Sequence, residues 1–116
     1  MELLNHDSSN FDYPREFIKM LERNLIYFEP WFVLSGQDLV IRYEGMKKRY
    51  PSRKLIPFAR REDNDDVACW DLDNGKKVII IHDFAELDWE QVEVMSTFYD
   101  WIRRAVDDRI AYDSLQ

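Results

Sequence analysis

The sequence holds one cysteine, three glycines and four prolines in 116 residues. A single cysteine excludes an internal disulfide framework and any zinc site built on several cysteines. So few glycines and prolines exclude a collagen-like or linker-like chain. Neither G-x-x-x-x-G-K nor G-x-S-x-G occurs, so no phosphate-cradling loop or nucleophile elbow is encoded. Long apolar runs are missing as well: the longest, residues 78–81, is far short of a bilayer span. The opening MELLNHDSSNFDYP carries acids, no basic segment and no apolar stretch behind it, so it is not read as a secretory signal. A cytoplasmic protein with no membrane association is expected, and the lone Cys69 suits a reducing compartment.

What the chain does have is apolar and aromatic residues, 46% and 15% of the total, enough for one core in one domain. It also has acid. Sixteen Lys and Arg against 23 Asp and Glu leave a net charge of −7, a poor fit to direct nucleic-acid binding. The charge is uneven. Residues 1–61 hold 11 basic and 8 acidic side chains, whereas residues 62–116 hold 5 and 15. Arg42, Lys47, Lys48, Arg49, Arg53, Lys54, Arg60 and Arg61 form a basic stretch, and Glu62, Asp63, Asp65 and Asp66 follow it directly. Two readings stand: two solvated surfaces, or an acidic face that attracts a basic partner.

Periodicity divides the chain into elements. Residues 1–11 are polar and are expected to form a flexible head. Phe17, Ile18, Leu21 and Leu25 recur at helical spacing behind Pro14, which predicts a helix over about 14–26. Trp31, Phe32, Val33 and Leu34 read as a buried strand. Residues 35–50 admit two readings. Ser35 and Asp38 are spaced as a capping box ahead of Leu39, Val40, Tyr43, Met46 and Tyr50, which predicts a helix. The alternative is a hairpin turning at Ser35 and Gly36. Residues 55–59 read as a strand, with Pro57 placing it at an edge or at a strand entry.

The strongest local signal is Asn74-Gly75 between two β-prone runs, a hairpin over 67–83. A two-residue turn there pairs residues whose numbers sum to 149, so Asp73 faces Lys76. One face then carries Ala68, Trp70, Leu72, Ile79 and Ile81, and the other Val67, Cys69, Val78 and Ile80. Both faces are apolar, so helices should cover both. Residues 84–95 read as a loop with a short edge strand. Thr97 and Asp100 are spaced as a capping box for a last helix over about 96–107, and a polar tail follows at 109–116.

Catalytic chemistry is hard to assemble from these residues. His6 lies in the head, and His82 beside Asp83 at a strand end lacks a third ligand near Cys69, so no metal and no other cofactor is expected. Asp71-Leu72-Asp73 resembles a D-x-D motif, but a nucleotide-sugar enzyme needs a larger domain, and Gly75 falls one position early for a calcium loop. No Ser/His/Asp or Cys/His arrangement can be argued, and the chain is not read as an enzyme. Among the tryptophans, Trp31, Trp70 and Trp101 sit in apolar runs and are expected in the core. Trp89, between Asp88 and Glu90, is either a core anchor on an irregular segment or an exposed binding hot spot.

Several short motifs together resemble the SUKH superfamily, the Smi/Knr cell-wall-assembly regulator family. They are Leu55-Ile56-Pro57-Phe58-Ala59, a charged loop, Cys69-Trp70-Asp71-Leu72-Asp73, residues 78–83, and Thr97-Phe98-Tyr99-Asp100-Trp101-Ile102. Trp31 and the Tyr50-Pro51 pair also fit. The charged loop RREDNDD departs from a family pattern that is often glycine-bearing there, and the segment after the hairpin is short. The resemblance implies an α+β fold, with a central, mostly antiparallel sheet flanked by helices, in a single domain at 12–108. It also implies a protein-binding role. Many bacterial members look like immunity proteins that neutralise a cognate toxin by direct binding, often a basic nuclease, while eukaryotic relatives act as regulatory scaffolds for endogenous partners. On the immunity reading the partner-binding residues are Glu62, Asp63, Asp65, Asp66, Glu86, Asp88, Trp89 and Glu90, on a monomer.

Overall fold

The computed structural model describes residues 2–25 and 27–115. Met1, Ile26 and Gln116, which end the expected head, first helix and tail, lie outside the described residues. The fold is α+β: a six-stranded antiparallel sheet in simple chain order, with helices on both faces. The strands are β1 (Tyr27–Phe28), β2 (Trp31–Val33), β3 (Leu55–Arg61), β4 (Asp66–Asp71), β5 (Lys77–His82) and β6 (Gln91–Met95). The helices are α1 (His6–Ser9), α2 (Arg15–Glu22), α3 (Gly36–Arg49) and α4 (Phe98–Ser114).

The expected hairpin forms, but with a different turn. Leu72–Asn74 make a turn of 3₁₀ helix, and Gly75 and Lys76 both take positive φ, at 65° and 58°. The Asp71 carboxylate accepts a hydrogen bond from the Asp73 amide and caps that turn. Pairs therefore sum to 148: Ala68 faces Ile80, Cys69 faces Ile79, Trp70 faces Val78 and Asp71 faces Lys77. A shift of one residue moves every side chain of a strand to the opposite face. The two apolar sets become Ala68, Trp70, Val78, Ile80 and Val67, Cys69, Ile79, Ile81, all 1% exposed or less. Alternation along the strands then puts Cys69 and His82 on opposite faces, not on one as the shorter turn implied.

Each set has its own cover. Phe17 and Met20 of α2, with Phe98, Trp101 and Ala105 of α4, pack over Trp70 and Phe58. The Phe58 ring lies 4.4 Å from Trp70 and 4.9 Å from Trp101. On the other face Leu39 and Met46 of α3, with Tyr50, cover Cys69, Ile79 and Ile81. Residues 35–50 are thus the helix and not the hairpin, because positions 39, 43, 46 and 50 line one side. Ser35 sits at its N-cap without a side-chain capping bond, so the expected capping box does not form there. At α4 the Thr97 hydroxyl does cap, accepting from the Asp100 amide.

Three further expectations are corrected. Pro57 is buried in β3 between β2 and β4, where a register shift between Pro57 and Ala59 accommodates its missing N–H. The head packs against the domain: Leu3 and Leu4 touch both cores, and Phe11 is buried against Trp70 at 5.1 Å. The polar tail is the continuation of α4, which is pinned to β2 by the Trp31 indole N–H donating to Asp108.

The turn also gives a test. A Cβ at Gly75 meets no atom within 4 Å, so only its positive φ resists a side chain. Gly75→Ala should cost about 1 kcal/mol in urea unfolding, and an unchanged midpoint would contradict the left-handed turn.

Candidate functional site

The register places three connections at one end of the sheet: residues 29–30, residues 62–65 and the loop at residues 83–90. The last two lie side by side, because the Asp83 amide donates to the Asp65 carbonyl.

The loop at 83–90 is held at both ends by carboxylates that face inward. Asp83 is 1% exposed and receives Arg42 at 2.6 Å and Arg49 at 2.7 and 2.6 Å, both from α3. Its Oδ1 also accepts from the Phe84 amide. Burial pushes the Asp83 pKa up, but the hydrogen bonds from Arg49, Arg42 and Phe84 outweigh it and hold the group below the ordinary carboxylate value. Gly45 makes room for this clamp, since a Cβ there would stand 2.7 Å from the Arg49 guanidinium. A residue that weakens the helix thereby lets Arg49 fold back one turn and reach Asp83. At the other end Glu90 is 4% exposed and pairs with Arg53 at 2.9 Å. Burial raises its pKa, while its own amide and Arg53 pull it below the ordinary value overall.

Between these anchors the loop faces water. Phe84, Leu87 and Trp89 are 61%, 59% and 79% exposed. Phe84 and Asp88 hold positive φ, at 68° and 75°, which costs on the order of 1 kcal/mol or more each without glycine. Phe84 lies under Arg49 at 4.2 Å, a cation–π contact that leaves its outer face open. The Glu86 and Asp88 carboxylates make no hydrogen bond or ion pair among the described residues.

The eight expected partner-binding residues therefore separate. Glu62, Asp65, Glu86, Asp88 and Trp89 are exposed around these two loops. Glu62 also accepts weakly from the Tyr27 hydroxyl, whose pKa is pushed up to about 12, chiefly by its hydrogen bond to Glu29. Asp63 is engaged twice by Arg61, which lowers its pKa, and Asp66 meets His82 Nδ1 at 3.0 Å. Glu90 is a correction: it is an internal anchor, not a surface contact. Half of the basic stretch is spent on the molecule's own carboxylates, with Arg42 and Arg49 on buried Asp83, Arg53 on buried Glu90, and Arg61 on exposed Asp63 and on Asp108. Sequence reasoning missed the Asp83 clamp because its arginines lie 41 and 34 residues away. The one local signal was a carboxylate directly after a buried apolar strand.

Chemically the loop offers exposed apolar and aromatic side chains together with two carboxylates, Glu86 and Asp88, that have no partner among the described residues. Cys69 is buried, which raises its thiol pKa, and it is no nucleophile. Among the described residues no group of three or more His, Cys, Asp or Glu could hold a metal ion, and no helix is long and apolar enough to cross a membrane.

The anchors make stability pH-dependent. Asp83, Glu90 and Asp63 have folded pKa values below their unfolded ones. Their contribution is full above the unfolded carboxylate range near pH 4 and is lost as pH falls through the folded values. Unfolding free energy should stay level from pH 7 to about 5 and fall steeply below about 4. A level profile down to pH 2 would contradict the pairing.

The chain matches no family model, no curated protein and no solved structure.

Proposed function

We propose that the chain is a cytoplasmic, monomeric immunity protein of the SUKH type, which neutralises a cognate basic toxin by binding it directly and is not itself an enzyme. One observation carries the reading: an exposed Trp89, with Phe84 and Leu87, stands on a loop whose two ends are locked by buried ion pairs. A rigid aromatic anchor loses little entropy on binding and so contributes strongly to affinity. The acidic rim of Glu62, Asp65, Glu86 and Asp88 supplies complementarity to a basic surface, such as the groove a nuclease offers to phosphates. The helix-covered antiparallel sheet agrees with the fold that the family resemblance implies.

The test is co-expression with each candidate toxin encoded beside the gene. One of them should arrest growth alone, be neutralised by this chain, and bind it with an affinity that falls as salt rises from 50 to about 500 mM. Neutralisation by none of them, or a complex indifferent to salt, overturns the proposal. A salt-indifferent endogenous partner would favour the regulatory-scaffold reading.

A further inference from the structure

A second region of the molecule has the opposite character. At the far end of the sheet, where β3 begins and β4 ends, lies a cleft of about 400 Å³. That is within the range of small-molecule pockets, roughly 300–1,000 Å³. In a chain of net charge −7, its described lining includes Lys47, Arg53 and Lys54 and no carboxylate. Arg53 is neutralised by Glu90. Lys54 has no ion pair among the described residues, and Lys47 has only a surface pair with Glu44. The Lys47 ammonium is steadied 4.7 Å over the ring of Tyr43, whose own side chain is nearly buried. Leu55 and Leu72 complete an apolar wall, and the packed head adds Asn10 on the rim.

Two lysines on a cleft with no carboxylate in its described lining fit one ligand chemistry. Lysine binds phosphate as a point charge, and two of them match the double charge of a phosphomonoester. Pro51 and Leu72, the lining's less buried apolar side chains, offer contact to an apolar body attached to it. We propose that this cleft binds a small phosphomonoester whose body makes apolar contact, of the mononucleotide class. The cleft shares Arg53 with the anchor of the loop at 83–90, but the two lysines argued from here take no part in that anchor, and the proposal does not depend on the toxin reading.

The experiment titrates the full-length, isotope-labelled chain with adenosine monophosphate, with adenosine and with inorganic phosphate, following amide resonances. The monophosphate should give saturable shifts at Asn10, Tyr43, Lys54 and Leu72. Adenosine and phosphate should each bind at least about tenfold more weakly, because each offers half of the contacts. Lys54→Gln and Lys47→Gln should each lower monophosphate affinity about tenfold. Lys77→Gln, on a strand outside the cleft, should leave it unchanged. All three variants alter exposed side chains, so unchanged unfolding midpoints are expected and would confirm that they fold. Absence of saturable shifts with the monophosphate overturns the proposal, as do shifts that survive both cleft substitutions.

Discussion

Replacing Asp83 with alanine should lower the stability of this protein by about 3–5 kcal/mol, the scale for removing one partner of a buried ion pair. Against a total of about 5–15 kcal/mol for a domain, such a loss is severe. The reason is asymmetry. Asp83 is essentially inaccessible, and it accepts from two guanidinium groups and one amide. Without it, Arg42 and Arg49, whose side chains are 14% and 28% exposed, remain half-buried with no countercharge. Replacing all three by apolar residues of similar size should therefore restore part of the loss. Urea unfolding of the single and triple variants checks this. A single variant within 0.5 kcal/mol of the parent would mean that the clamp does not hold the loop.

Trp89→Ala should have the opposite profile. At 79% exposure the side chain packs against little, so stability should change by less than about 0.5 kcal/mol. Affinity for the partner should fall by at least about 2 kcal/mol, roughly 30-fold, as for a central aromatic anchor. Titration calorimetry on the complex measures the loss. Tyr99→Ala, at 56% exposure on the first turn of α4 and at the opposite end of the sheet from both loops, is the control and should leave affinity unchanged. Equal, small effects from both would remove the tryptophan from the binding surface. Together the two substitutions separate the residue that makes the contact from the one that holds it in place.

These effects were unequally legible in the sequence. Trp31, Trp70 and Trp101 sit in apolar runs and are buried to 1% or less, whereas Trp89 sits among acids and is exposed. The periodic apolar runs place the first three in the core, whereas the sequence left Trp89 open between a core anchor and an exposed contact, since an acid also flanks Trp70 and Trp101. Helix α3 was ambiguous because Gly36 and Gly45 weaken its signal. Gly36 takes positive φ at the helix start, and Gly45 clears space for Arg49. The hairpin was visible from Asn74-Gly75, but its register was not. Whether two residues or five form the turn depends on Asp71 capping a 3₁₀ segment, and a shift of one residue reassigns both faces. Phe11 was hidden in a polar head, where one buried ring carries no periodic pattern.

The candidate site was half legible. Its acids and its tryptophan could be listed from composition, but which acids face outward could not. Glu90 and Asp88 are two residues apart and both carry a carboxylate, yet one pairs inward with Arg53 and the other projects at a positive φ. That difference is made by an arginine 37 positions away, and local patterning does not report such pairs. The dipole implied by the charge split is likewise reduced in the fold, because α3 and the segment after it deliver three arginines to the ends of the acidic loop.

The central claim is that the clamped loop at residues 83–90, with its neighbour at 62–65, is the surface that meets the toxin. Amide hydrogen exchange of the free chain and of its complex tests it most directly. The account predicts slowed exchange on binding at residues 62–65 and 84–89, with α4 and the turn at 72–76 unchanged. Protection confined to α4 or to that turn, with both loops exchanging as in the free protein, would contradict it.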